Sequence, residues 1–175
     1  TCTQVANYTV HWTPNDNSIV FDAMGRSSDE SATGRTGATI TEPTEPIRTG
    51  HTFGGWYTDQ NCTRAWDFSN AVSGPMTLYA KWTANQYPVT SDAKGGVLTD
   101  AGGNKPVTYG AAYGDLPAPT RAGYGFAGWF TAEYESGTQV TLETVVSMTA
   151  DHTLYARWTE GGASYTVNHL WQNTE

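Results

Sequence analysis

The sequence predicts a mainly β or α+β chain of tandem small modules, each with a mixed sheet and at most one short helix or helical turn. Three observations carry that expectation. A block of aromatic and glycine residues occurs twice, charged residues make up only 15% of the chain, and apolar residues do not recur with a helical period. Sparse charge with many Thr, Gly and Ser residues is the composition of β-strands and turns, and a repeated block signals a repeated structural unit.

The first block runs Pro46-Ile-Arg-Thr-Gly50-His-Thr-Phe53-Gly-Gly-Trp56-Tyr-Thr58, and the second Pro119-Thr-Arg-Ala-Gly123-Tyr-Gly-Phe126-Ala-Gly-Trp129-Phe-Thr131. A second motif follows each copy, Thr77-Leu-Tyr-Ala-Lys-Trp82-Thr and Thr153-Leu-Tyr-Ala-Arg-Trp158-Thr. A degenerate third copy, Asn7-Tyr-Thr-Val-His-Trp12-Thr, stands at the start. Residues 1–17 are therefore the closing strand of a preceding repeat or an extra edge strand of the first module. The first module covers 18–83, a linker 84–86, the second module 87–159, and residues 160–175 a linker and the opening strand of a further module.

Taken in order, Ser18–Asp22 opens the first module and runs into the turn Asp22-Ala-Met-Gly25, where an Asp side chain bonds its own backbone. A polar stretch leads to a short strand at Ala38–Thr41, and Pro43 and Pro46 impose an extended crossing. The closing strand then alternates, with Leu78, Ala80 and Trp82 on its core face. The second module repeats this order: Tyr87–Ser91, the glycine turn after Asp92, a strand at Val107–Tyr109, Pro117 and Pro119, the aromatic block and the closing strand. Modules this small bury a thin core, so single large side chains decide it. Phe53, Trp56, Leu78 and Trp82 are its expected centre in one module, and Phe126, Trp129, Leu154 and Trp158 in the other. Gly55 and Gly128 are expected to let a backbone pass close to an indole ring.

Net charge is −8 and nine basic residues are scattered, which excludes nucleic acid and anionic membranes as expected partners, because phosphate binding needs clustered Lys and Arg. No apolar run approaches the length of a membrane span, so none is expected to insert. The four histidines have no zinc spacing, no Asp stands in a calcium loop, and neither a nucleophile elbow nor a phosphate loop is present. No catalytic residue, metal or cofactor is expected. Cys2 and Cys62 either form a bridge, closing a loop of about 60 residues worth roughly 4 kcal/mol, or stand as two thiols. Trp66, Tyr134 and Trp171 fall outside the repeated pattern and are candidates for surface aromatic contacts.

The two blocks and their closing motifs resemble the Listeria-Bacteroides repeat, or internalin B-repeat, of bacterial cell-surface proteins. Pro46, Arg48, Gly50, Phe53, Gly55, Trp56 and Leu78–Trp82 carry the resemblance, with Pro119, Arg121, Gly123–Phe126, Gly128, Trp129 and Leu154–Trp158 in the second copy. The resemblance implies a β-grasp-like module wrapping one short helix or helical turn, strung in tandem on a secreted or wall-attached protein, without catalysis. The expected role is an extracellular stalk or spacer that contacts host or bacterial surface proteins. A carbohydrate-binding accessory module, contacting surface glycans, is the alternative.

Overall fold

Apolar side chains at every second position of the opening and closing strands dictate the centre of each module, because alternation puts them on one face of a sheet. The computed structural model describes residues 11, 13, 15–25, 29–98 and 103–161, and divides into two compact units, 1–83 and 84–175. The first contains β1 (Asp16–Asp22), β2 (Glu30–Arg35), β3 (His51–Tyr57) and β4 (Met76–Ala84). The remainder are β5 (Gln86–Asp92), β6 (Val97–Leu98), β7 (Asn104–Thr108), β8 (Pro119–Thr120), β9 (Tyr124–Phe130), β10 (Gln139–Val140) and β11 (His152–Glu160).

In the first unit the sheet order is β2-β1-β4-β3, with β1 antiparallel to β2 and parallel to β4. Ile19, Phe21, Leu78 and Ala80, on the two central strands, are buried with Ile40, Trp56 and Val72. The second unit has the order β10-β9-β11-β5-β7, again with its opening and closing strands, β5 and β11, parallel and adjacent. Val89, Leu154 and Ala156 form its core with Val107, Tyr113, Trp129, Val140 and Val146. Pro88 lies opposite Pro106, so neither missing N–H interrupts the β5–β7 ladder, and the parallel pairing with β11 begins one residue later at Val89.

A parallel pair needs a crossover, and a helix is its usual form. No helix occurs among the described residues, which departs from the short helix or helical turn that the resemblance implies. Two irregular segments clasp each other over the sheet instead. In the first unit Gly37 N–H donates to the Val72 carbonyl and Val72 N–H to that of Ala38, both at 2.8 Å. In the second unit Gly110 and Val146 donate in the same way, to Val146 and Ala111. Each clasp lowers two apolar residues onto the sheet, Ile40 and Val72 in one unit and Tyr113 and Val146 in the other.

Two local expectations are corrected. Ala38–Thr41 is not a strand, because its hydrogen bonds go to the clasp; the partner of β1 is the polar stretch Glu30–Arg35 instead, whose inward positions are Ala32 and Gly34. Gly34 sits so tightly that a Cβ there would meet Ile40 Cγ2 at 2.8 Å. In the second unit the strand falls at Asn104–Thr108, upstream of the expected Val107–Tyr109.

Candidate functional site

The aromatic block becomes a small ring cluster in both units. Phe53 and Trp56 have centroids 5.5 Å apart at 67°, and Phe126 and Trp129 5.6 Å apart at the same angle. Trp82 and Trp158 complete the clusters, 5.5 Å from Phe53 and 5.6 Å from Phe126. A regular strand would place residues three apart on opposite faces. In β9 a bulge removes the conflict: Arg157 pairs with Gly128 and Trp158 with Phe126, so Ala127 is extra and both rings share a face. Gly128 at φ +133° and Gly55 at φ +96° are therefore needed for backbone conformation, and not, as expected, for close approach to an indole. The glycine that does approach one is Gly96, where a Cβ would lie 2.3 Å from Trp158 Cζ2.

Hydrogen bonding anchors the closing indoles identically. Trp82 Nε1 donates to the Ala23 carbonyl at 3.1 Å, and Trp158 Nε1 to the Ala93 carbonyl at 3.0 Å. The turns that hold those carbonyls are alike too, since Asp22 accepts from Met24 N–H and Asp92 from Lys94 N–H. The block indoles differ. Trp129 Nε1 donates to the Pro117 carbonyl at 2.8 Å, whereas Trp56 Nε1 is buried without a partner among the described residues.

Of the expected core residues, Trp56, Leu78, Trp129 and Leu154 are buried, and Phe53, Trp82 and Trp158 are partly buried against the cores. Phe126 departs from expectation. It is 39% exposed and lies at the rim, touching Trp129 and Trp158 by its edges. Trp66 packs against the first core, so it offers no surface platform; its Nε1 is also buried and unpartnered among the described residues. Tyr134 is 76% exposed, and its carbonyl accepts from Arg157. Trp171 and Cys2 lie outside the described residues. Cys62 carries a half-buried free thiol, whose pKa is raised by burial and by the nearby Asp59 carboxylate.

The basic residues of the motifs lie over rings. Arg121 is 3.9 Å from the Tyr124 centroid, Arg157 3.9 Å from Phe130, Lys81 5.0 Å from Tyr57 and Arg48 6.0 Å from Trp82. Each charge is therefore held against an aromatic ring of its own unit. Among the described residues no group of three or more His, Cys, Asp and Glu could hold a metal, and no helix is long and apolar enough to cross a membrane.

A cavity of about 240 Å³ opens in the first unit. Buried Phe21, Ala23 and Trp56 form its floor, Thr44 and Pro46 of the crossing segment one wall, and exposed Glu30 and Glu45 its polar lining. Sequence reasoning missed it. The only signal was that Thr44-Glu45 stands where the second block has Pro117-Ala118.

The chain matches the Listeria-Bacteroides repeat domain over residues 18–81 and 87–157. It is 36% identical over 148 residues to a protein of Evansella cellulosilytica named as a Gly-rich membrane protein, and 34% identical over 148 residues to a second protein of that organism named as a membrane protein. Against Internalin H of Listeria monocytogenes serovar 1/2a it is 36% identical over 143 residues. These alignments cover 84%, 84% and 81% of this chain but 17%, 22% and 25% of the relatives, so the chain spans a quarter or less of their length.

Proposed function

Because the chain belongs to the Listeria-Bacteroides repeat domain family, we propose that its two modules are a non-catalytic spacer of a bacterial cell-surface or secreted protein, projecting other parts of that protein outward and meeting protein partners along exposed sheet edges. One observation carries this reading. The duplicated residues are spent on ring clusters, indole anchors and glycine turns of each module, and among the described residues no duplicated polar cluster is left to do chemistry. The relatives, an internalin and two proteins named for the membrane, support placement at the cell envelope. Among the described residues β2 ends the first sheet and β7 and β10 the second, and these are the edges available. An edge strand offers its free N–H and C=O groups to an extended partner segment.

The spacer reading is tested by small-angle scattering on chains with increasing numbers of repeats. The maximum dimension is expected to grow in proportion to repeat number. A dimension that stays nearly constant as repeats are added overturns it. Of the candidate surface aromatics that are described, Tyr134 is exposed and Trp66 is packed against the core, which leaves a glycan-binding accessory role with less support.

A further inference from the structure

We propose that β2 of the first module is a self-association edge: it pairs antiparallel with β2 of a second copy of this chain, about a two-fold axis through Thr33, and joins their four-stranded sheets into one. The proposal rests on the edge contacts of the spacer reading and names the partner.

Hydrogen-bond parity decides which groups β2 has to offer. In an antiparallel pair every second residue bonds the partner strand and those between point away from it. Thr36 N–H donates to the Asn15 carbonyl, and the register carries this pattern on to Gly34 opposite Asn17, Ala32 opposite Ile19 and Glu30 opposite Phe21. Ser31, Thr33 and Arg35 therefore turn their N–H and C=O groups outward, and all three residues are exposed. Among the described residues no strand covers them.

The same edge of the second module is closed. There Tyr109 N–H donates to the Asn85 carbonyl and Ser91 N–H to that of Gly103, so Asn104, Pro106 and Thr108 face outward from β7. Phe21 and Ser91 are equivalent, since they stand opposite Leu78 and Leu154. Thr33 lies opposite Ser18 and Pro106 opposite Pro88, each three residues before that pair, so Thr33 and Pro106 are equivalent as well. Proline in the middle of an edge removes the N–H that an added strand needs, and so guards against edge-to-edge pairing. In the first module that guard is absent: threonine stands there, and β2 contains no proline.

The strand that fits this edge is its own copy. With Thr33 on the axis, Thr33 meets Thr33 and Ser31 meets Arg35, so outward residues pair only with outward residues and each free N–H finds a free C=O. A register shifted by one residue sets outward groups against inward ones. The axis also places threonine against threonine, a favourable cross-strand pair. Charge agrees, because β2 is acidic where it starts, at Asp29-Glu30, and basic where it ends, at Arg35; an antiparallel copy lays each acidic end beside the other's basic end. A ladder this short buries little surface, so the association is weak and reversible.

The test is sedimentation equilibrium of the full chain, with a reducing agent so that Cys62 cannot link two copies, and at about 0.15 M salt to screen the net charge of −8. The mean mass is expected to rise from one chain toward two between micromolar and millimolar concentration. Over the same range the amide resonances of Ser31, Thr33 and Arg35 are expected to shift, and those of Asn104 and Thr108 to stay. Thr33→Pro removes an N–H that β1 does not use, and Thr33→Lys sets like charges against each other across the axis. Each is expected to weaken association about threefold or more, with an unchanged near-ultraviolet circular dichroism spectrum. A chain that stays monomeric to millimolar concentration leaves β2 to a strand of another protein and overturns the proposal. Association that both variants leave intact, or shifts that fall on β7 or β10 instead, overturns it too. The spacer reading is judged separately, by scattering from dilute chains whose copies are apart.

Discussion

At Gly128 a single backbone angle decides where two rings go. With φ at +133° the bulge opposite Arg157 and Trp158 turns Phe126 onto the face that already carries Trp129. Alanine at this position is strained by its own backbone, while its Cβ would press only on the flexible end of Gln139. Gly128→Ala is therefore expected to cost about 1–3 kcal/mol, seen as a lower melting temperature of the second module with a changed aromatic circular dichroism. An unchanged melt would show that the bulge tolerates a side chain. Asp59 makes a pH-dependent contribution in the first module. Burial acts to raise its pKa, but the N–H groups of Arg64 and Thr63 and the Thr63 hydroxyl outweigh that, leaving the carboxyl below its ordinary value. The folded state then takes up this proton later than the unfolded chain does. The stabilisation is present above the unfolded pKa, about 4, and is lost as pH falls through the folded value. Protection of the Thr63 and Arg64 amides relative to their intrinsic exchange rates should fall on acidification below that point, and Asp59→Asn should abolish the pH dependence. A variant with the same acid response removes Asp59 as its source.

Among the elements, the closing strands were the most legible and the clasps the least. Leu78 and Leu154 are fully buried because strict alternation beside a tryptophan leaves only one face for the core. Opening strands were legible for the same reason, Ile19 and Phe21 standing two apart as do Val89 and Ser91. By contrast Glu-Ser-Ala-Thr-Gly-Arg carries no apolar alternation, and it becomes β2 only because β1 offers it a ladder. Propensity gave way there to pairing. Of the clasp residues, Val72 stands in polar sequence beside a single alanine and Val146 stands beside an exposed Val145, so nothing marks either as core before the sheet beneath it is assembled.

For the whole molecule the decisive fact is that two cores are built, each from residues of one unit. Leu154→Ala is expected to destabilise the second module by about 2–5 kcal/mol, as the cavity left in its core cannot close, and to leave the melting of the first unchanged. Calorimetry separates the two transitions; a shift of both together would mean a shared cooperative unit. The sequence alone determined the strand-rich class, the duplication, the family and most of the ring clusters, because these follow from spacing along the chain, which is repeated and local. Tertiary structure decided which polar segment pairs with β1, that clasps replace a helix, that Trp66 turns inward and Phe126 outward, and that one block indole has an acceptor while the other is buried without one among the described residues. Each of those outcomes depends on what lies across the sheet from a residue, and distance along the chain does not encode it.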